Sequence, residues 1–576
     1  MKKYFVLILS LCLLGTVWWN RHAVLFLLYT HWYRRPPQNV QFSELNSNRI
    51  HVYFVPSPYL TSHVKSIALN VEQNLTSAEK EFDTQLPSDL KLYLFNNWEE
   101  KGSQIRDVTL ATADPDQNAI YCVVNEQKDG TRERPEYRLL LRSKWGKPAQ
   151  VEWLEITAAA LADRWNQRTL SDWANFLLSR DLPPHFPALF TAAESQSGFI
   201  VYPWNALFAK FVKEKYGWNA LKTLYQTTTP PPGYQSSWQD FLKSLKTDSL
   251  SEYKSASEFQ KGMSYAYWNS YDGGYPTEKS AQSLNELRHI GVNWIAAIPY
   301  GFMRSHDMAY IHFAGHSVFG ESDESMLAVT EQAHSIGMKV MMKPQIWVAH
   351  DSWPGRIEFD NEAGWNEWFE NYEAWIIHYA LLSEMIHVDQ LCIGTELVET
   401  TLQKPERWRE LISKVRKIYH GPIVYAANWG KEFEGIKFWD QLDYIGLDNY
   451  YPVRRDASDN IDQMRSMFNK QRDMIRNVSA QFGKPVLFTE IGYHATDGAG
   501  MGTHEDDFTS YNERLQADCY RLAMETYWNE PWFYGMYWWK WFSDPTDAGK
   551  DADLHSPHGR MAERVIQEWY SKARSN

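Results

Sequence analysis

Short apolar runs alternate with longer amphipathic stretches from about residue 258 to the end of the chain. The runs are Gly262–Trp268, Val292–Pro299, Lys339–Trp347, Gln390–Thr395, Pro422–Ala427, Tyr444–Leu447, Pro485–Thr489 and Trp532–Trp539. Their adjacent hydrophobic positions, with little polar alternation, predict parallel strands buried on both faces. The stretches Glu278–Ile290, Ser322–Ile336, Trp365–Ile386, Glu406–Tyr419, Asn460–Phe482 and Tyr511–Trp528 predict the helices between them. Eight strands alternating with helices over about 300 residues match the count and size of a (β/α)8 TIM barrel, an α/β fold. No Gly-x-Gly-x-x-Gly follows the first strand, which argues against an open dinucleotide-binding sheet.

Residues 40–245 read differently. Ile50–Val55, Leu90–Phe95 and Ala119–Val124 predict strands around a helix near Ser62–Phe82, and 151–225 read as mostly helical, so an α+β domain is expected. Thr227–Gly233 and the polar stretch Lys246–Ser257 predict a linker before the barrel domain, 258–576. At the N-terminus, Lys2-Lys3 precede the apolar run Tyr4–Trp19, and Ala23–Tyr29 resume it before Arg34-Arg35-Pro36. Without a small-x-small cleavage site, residues 1–36 are expected to be an uncleaved membrane anchor carrying an extracytoplasmic body; the alternative is a cleaved export signal and a secreted protein.

A barrel places its active site where the strands end, so the polar residues at those ends come next. The fourth strand ends Gly394-Thr395-Glu396-Leu397 and the seventh Thr489-Glu490-Ile491-Gly492. Far apart in sequence, the two glutamates would meet across the barrel mouth. Two carboxylates flanking one bond are what glycoside hydrolysis requires, one protonated to assist departure and one ionised to attack. Each charge raises the other group's pKa, which helps to divide the roles. Taken alone, either glutamate could equally be a surface residue at a strand–loop junction.

Composition narrows the partner. The net charge of −13 argues against nucleic acid and fits a neutral substrate. Aromatic residues make up 15 % of the chain, with 27 Trp, which suits stacking on sugar rings or core filling. Four cysteines, one of them in the anchor, make no disulfide framework, and no Cys/His cluster predicts a metal or other cofactor.

Several segments then match a known family in order: Met342-Lys343-Pro344-Gln345-Ile346-Trp347, Trp353-Pro354-Gly355-Arg356-Ile357, Trp365-Asn366-Glu367-Trp368-Phe369-Glu370-Asn371-Tyr372, Ile393-Gly394-Thr395-Glu396-Leu397 and Leu442–Pro452. On these the C-terminal domain resembles glycoside hydrolase family 113, a clan-A (β/α)8 family of β-mannanase activity. The resemblance implies Glu396 as acid/base and Glu490 as nucleophile of a retaining reaction on a polysaccharide or oligosaccharide, with β-1,4-mannan the implied substrate. Thr395 stands where many clan members carry Asn, which puts the sugar at the reacting position in question.

Tyr450 or Tyr451 would donate its phenol to Glu490; alternation lets only one point inward, and Tyr450 is the expectation. Trp539 resembles the clan's sugar-platform tryptophan, with core packing as the alternative. Trp268 and Trp347 could line subsites, and Asp448 and Asn449 could bind hydroxyls. A carbohydrate-binding or envelope-scaffolding protein that retains the barrel without turnover is the competing function.

The middle domain resembles, over part of its length, a gluzincin-like metallopeptidase domain: Val151–Trp165 at the zinc helix, then Leu182-Pro183-Pro184 and Ala206–Gly217. A zinc peptidase needs two histidines one helical turn apart with a glutamate base between. This helix reads Glu155-Ile156-Thr157-Ala158-Ala159-Ala160, so a degenerate accessory domain is expected.

Overall fold

The computed structural model describes residues 40–87, 89–184, 197–245, 258–267, 274–313, 320–349, 352–502 and 508–574. The expected anchor and Trp268 lie outside these residues. Among the described residues, no helix is long and apolar enough to cross a membrane.

The N-terminal region is an α+β unit. Its five-stranded sheet has the spatial order Ser43–Asn46, Ile50–Phe54, Leu90–Phe95, Ala119–Val123, Ala111–Asp114. Helix Pro58–Phe82 buries Leu60, Val64, Ile67, Val71 and Leu75, the i, i+4, i+7 stripe of a helix lying on a sheet. Ser57 caps its start by accepting from the Leu60 N–H at 3.1 Å, and Asp83 ends it in the left-handed region at φ 46°. The two outermost strands, Ser43–Asn46 and Ala111–Asp114, were too short and too polar to stand out as strands in the sequence. Helices then follow from Glu136 to Ser244, among them Glu152–Ala162, which pairs Glu155 with Arg138.

The C-terminal region is a closed eight-stranded parallel barrel: β1 Gln260–Ala266, β2 Trp294–Ala297, β3 Lys339–Met342, β4 Gln390–Thr395, β5 Ile423–Asn428, β6 Tyr444–Asp448, β7 Val486–Ile491 and β8 Phe533–Phe542, which pairs back onto β1. Trp294 and Ala296, Val424 and Ala426, Met341, Cys392, Tyr444, Leu487 and Tyr537 fill the interior, with the period of two that a pleat imposes. Gln260 joins this interior by donating to Gln390 at 2.7 Å and accepting from the Tyr537 hydroxyl at 2.7 Å. Intervening residues such as Ile295, Val340 and Ile393 face the helices.

One expected strand is corrected. The third run was expected to continue to Trp347, but β3 stops at Met342 and β2 at Ala297. Pro344 and Pro299 follow, and a proline has no N–H to give a ladder. The chain resumes after each proline as Gln345–Val348 and Tyr300–Met303, paired in parallel with Tyr300 opposite Gln345 and Phe302 opposite Trp347. His312–Phe313 adds a third strand. Trp347 therefore belongs to a ribbon above the barrel, not to the barrel wall.

The two regions touch through Lys128 and Glu331 (2.7 Å), Arg180 and Glu384 (2.7 Å), and Ser197 and His378 (2.9 Å).

Candidate active site

The end of β4 is reshaped to deliver Glu396. The pairing with β5 shifts register between Cys392 and Thr395. Cys392 faces the interior, while a Cβ on Gly394 would strike Tyr372 (2.7 Å), Tyr425 (2.7 Å) and Trp408 (2.9 Å) on the helix side. Such a bulge re-aims the residues after it. Glu396 then takes the left-handed region at φ 53°, a conformation that costs a non-glycine residue about 1 kcal/mol or more and concentrates at functional sites. Its N–H donates to Ala426 at 2.9 Å, and the next N–H, of Leu397, donates to the Tyr425 hydroxyl at 2.8 Å.

The Glu396 carboxyl accepts from Trp353 Nε1 at 2.8 Å and from Asn428 Nδ2 at 2.9 Å. Burial pushes its pKa up, the Glu490 charge adds to this, and the two donors pull against both. Behind it, Glu432 accepts from the Tyr425 hydroxyl (2.7 Å), the Asn428 N–H (2.6 Å) and Thr401 (2.9 Å). Burial drives the Glu432 pKa up to about 8.

Glu490 ends β7 in a different environment. Its Oε1 accepts from the Lys343 ammonium and from Gln345 Nε2 (2.8 Å), and its Oε2 from the Tyr450 hydroxyl (3.0 Å). Lys343 is fully buried, and its Nζ also lies 3.4 Å from Asp448 Oδ2. Burial disfavours its charge, but Asp448 and Glu490 outweigh that and hold its pKa above the lysine range. Asp448 accepts from the Thr489 hydroxyl at 2.7 Å, and burial together with the Glu490 charge raises its pKa well above the carboxylate range. One cation thus serves a cluster of acids, and Glu490 makes the closest contact with it.

The predicted residues are distributed around this pair. Tyr450 meets Glu490, whereas Tyr451 turns away and accepts from the Gly430 N–H at 2.8 Å. Asp448 is fully buried beside Lys343 and Asn449 is 2 % exposed, so both lie under the rim rather than on it. Trp539 is half-buried between Trp538, stacked on Tyr520 at 3.8 Å, and Trp541, stacked on His558 at 3.8 Å. The Trp539 carbonyl would lie 2.7 Å from a Cβ on Gly492, so β8 runs hard against the chain leaving Glu490. Trp347 is 50 % exposed on the ribbon beside Phe302 at 46 %.

Four contacts of the glutamates went unread in the sequence: Lys343, Gln345, Trp353 and Asn428. A lysine inside an apolar run was the available signal, because such a charge is buried only when paired. Gln345 and Trp353 stood inside quoted motifs, and Asn428 one residue beyond a predicted strand. Among the described residues, no group of His, Cys, Asp and Glu could hold a metal.

No curated protein matches the chain. Among solved structures, a GH113 β-1,4-mannanase complex is 28 % identical, covering 55 % of this chain and all of that one, with a TM-score of 0.49. The GH113 β-mannanase AaManA from Alicyclobacillus acidocaldarius, in complex with ManMIm, is 26 % identical over 55 % of this chain and 98 % of its own, also at 0.49. The family model described as Glycoside Hydrolase Family 113 matches residues 263–556, half of the 576-residue chain and the whole strand-end architecture around the two glutamates. The chain belongs to Glycoside Hydrolase Family 113 and is a glycoside hydrolase.

Proposed function

We propose that the enzyme cleaves a β-linked polysaccharide with retention of configuration, Glu490 acting as nucleophile and Glu396 as acid/base. The observation that carries this reading is the unequal setting of the two carboxyls. Glu490 faces an ammonium and two further donors, which hold its carboxyl in one orientation for attack. Glu396 is pushed toward its neutral form, as an acid must be.

In the first step a Glu490 oxygen bonds to the anomeric carbon as the glycosidic bond breaks, and the Glu396 proton passes to the departing oxygen. In the second, Glu396 takes a proton from water while the water oxygen displaces Glu490. Tyr450, Lys343 and Gln345 hold Glu490 in place through both steps. The family resemblance makes β-1,4-mannan the first substrate to test.

The test is reducing-sugar release by the fragment from residue 40, on mannan, glucomannan, xylan and β-glucan, with Glu490→Ala as blank. Azide added to Glu490→Ala is expected to yield an α-glycosyl azide. A β-azide, or full activity of the blank, would overturn the assignment. We further propose that residues 1–36 tether this body to a membrane on its extracytoplasmic side, supported by the apolar run Tyr4–Trp19 behind Lys2-Lys3. Fractionation of the full chain against the fragment tests that.

A further inference from the structure

A cavity of about 900 Å³ lies between the α+β unit and the barrel, and neither Glu396 nor Glu490 lines it. Its barrel side is helix Asp323–Ser335, with Leu327 and Glu331, and the end of helix Glu362–Met385. Its other side is the free edge of strand Ala111–Asp114 and the hairpin Arg164–Trp165/Arg168–Thr169.

The chemistry of its lining is unusual for an interface. Arg138 is 6 % exposed and gives two hydrogen bonds to Glu155, at 2.5 and 2.6 Å, while its Nη1 is buried without a partner. Glu133, 8 % exposed, accepts from the Gln167 N–H at 2.8 Å. Asp107 pairs at 2.5 Å with Lys101, which is fully buried. In each pair the cation is enclosed while the acid stays about a third exposed, Glu155 at 33 % and Asp107 at 31 %, and partly exposed pairs of this kind add little net stability. Nothing in the catalytic mechanism uses them either.

We propose that this cleft is a second, non-catalytic carbohydrate site. Its carboxylates and amides, those of Asp107, Glu133, Asn166 and Gln167 among them, can accept from or donate to sugar hydroxyls, and Arg138 Nη1 needs an acceptor. Trp165 and Tyr202, stacked at 5.5 Å, offer an apolar surface for the C–H faces of a ring. Acids outnumber bases in the lining, which disfavours an anion. The volume takes a few sugar units, so the α+β unit would hold the same kind of chain that the barrel cuts.

The test titrates mannohexaose, cellohexaose and xylohexaose into the full chain bearing Glu490→Ala, followed calorimetrically, and repeats this with Arg138→Lys or Trp165→Ala added. Arg138→Lys keeps a cation for Glu155 and removes the Nη1 arm of the guanidinium. A binding event that each addition weakens tenfold or more, with unchanged turnover when either stands alone in the active enzyme, is expected. Binding that neither substitution affects, no binding of any hexaose, or selective capture of an unstructured alanine–serine heptapeptide on the free edge overturns the proposal. Turnover by the unmodified enzyme is read separately, so a wrong assignment of the catalytic pair does not mask the result.

Discussion

Lys343 reaches Glu490 from just past the end of β3, so the residue after one strand holds the carboxyl at the end of another four strands later in the chain. Because the lysine is wholly enclosed, its partners are enclosed with it. Lys343→Met would leave Glu490 and Asp448 buried without a cation. Removing one partner of a buried pair costs about 3–5 kcal/mol, so a large fall in Tm is expected, together with loss of activity. Thermal melts of Lys343→Met and Lys343→Arg check this; a melting point within a degree of the unmodified enzyme would contradict it.

The two glutamates should separate by leaving group. Glu396→Ala is expected to lower kcat by about 10²–10⁴-fold on polysaccharide, the usual worth of a positioned acid. On a dinitrophenyl glycoside, whose leaving group needs no proton, the first step should survive. Burst kinetics on that substrate would reveal the accumulated glycosyl-enzyme.

The pH profile carries a sign. Under the proposed assignment Glu396 works protonated in the first step, and its pKa lies above the ordinary value, so kcat/KM is expected to fall as pH rises through that pKa. The Trp353 N–H stabilises the ionised form. Trp353→Phe should therefore move the basic limb to higher pH, and Asn428→Ala should do the same. A shift to lower pH in both would exclude Glu396 as the acid.

Glu432 makes a stability prediction. With an unfolded pKa near 4.5 and a folded value of about 8, its neutral form favours the fold. That contribution is complete below about pH 4.5 and is lost as pH rises through 8. Glu432→Gln should flatten the decline, so its Tm relative to the unmodified enzyme rises between pH 5 and 8.

Trp347 is half-exposed, so its loss should spare the fold and weaken substrate. An aromatic contact of about 0.5–1.5 kcal/mol predicts a rise in KM of roughly 2–10-fold for Trp347→Ala on polysaccharide, with Tm nearly unchanged.

The barrel was legible because parallel strands bury both faces and so read as unbroken apolar runs, and the glutamates because a barrel fixes where strand ends meet. The ribbon was not: Ile346 and Trp347 prolong the apolar run of β3, and periodicity does not register the missing N–H of Pro344. The partners of the glutamates were hidden for a different reason. Lys343, Gln345 and Trp353 follow β3 and Asn428 ends β5, far in sequence from the Glu490 or Glu396 each contacts, and only closure of the barrel brings them to the two carboxyls. The same holds for the α+β cleft, whose charged side chains look like ordinary surface residues until a second domain covers them.

The breaks at Pro299 and Pro344 separate the closed barrel from the exposed ribbon above it. The second and third barrel strands end before Pro299 and Pro344, and the ribbon beyond them is no part of the closed barrel. Its outer positions, Phe302 and Trp347, are therefore open to exchange: lengthening, shortening or repainting that ribbon is expected to leave the register of the barrel unchanged, and glycan preference across such variants tests whether the ribbon contacts substrate. Gln345 sets the limit of that freedom, since it begins the ribbon and also holds the Glu490 carboxylate.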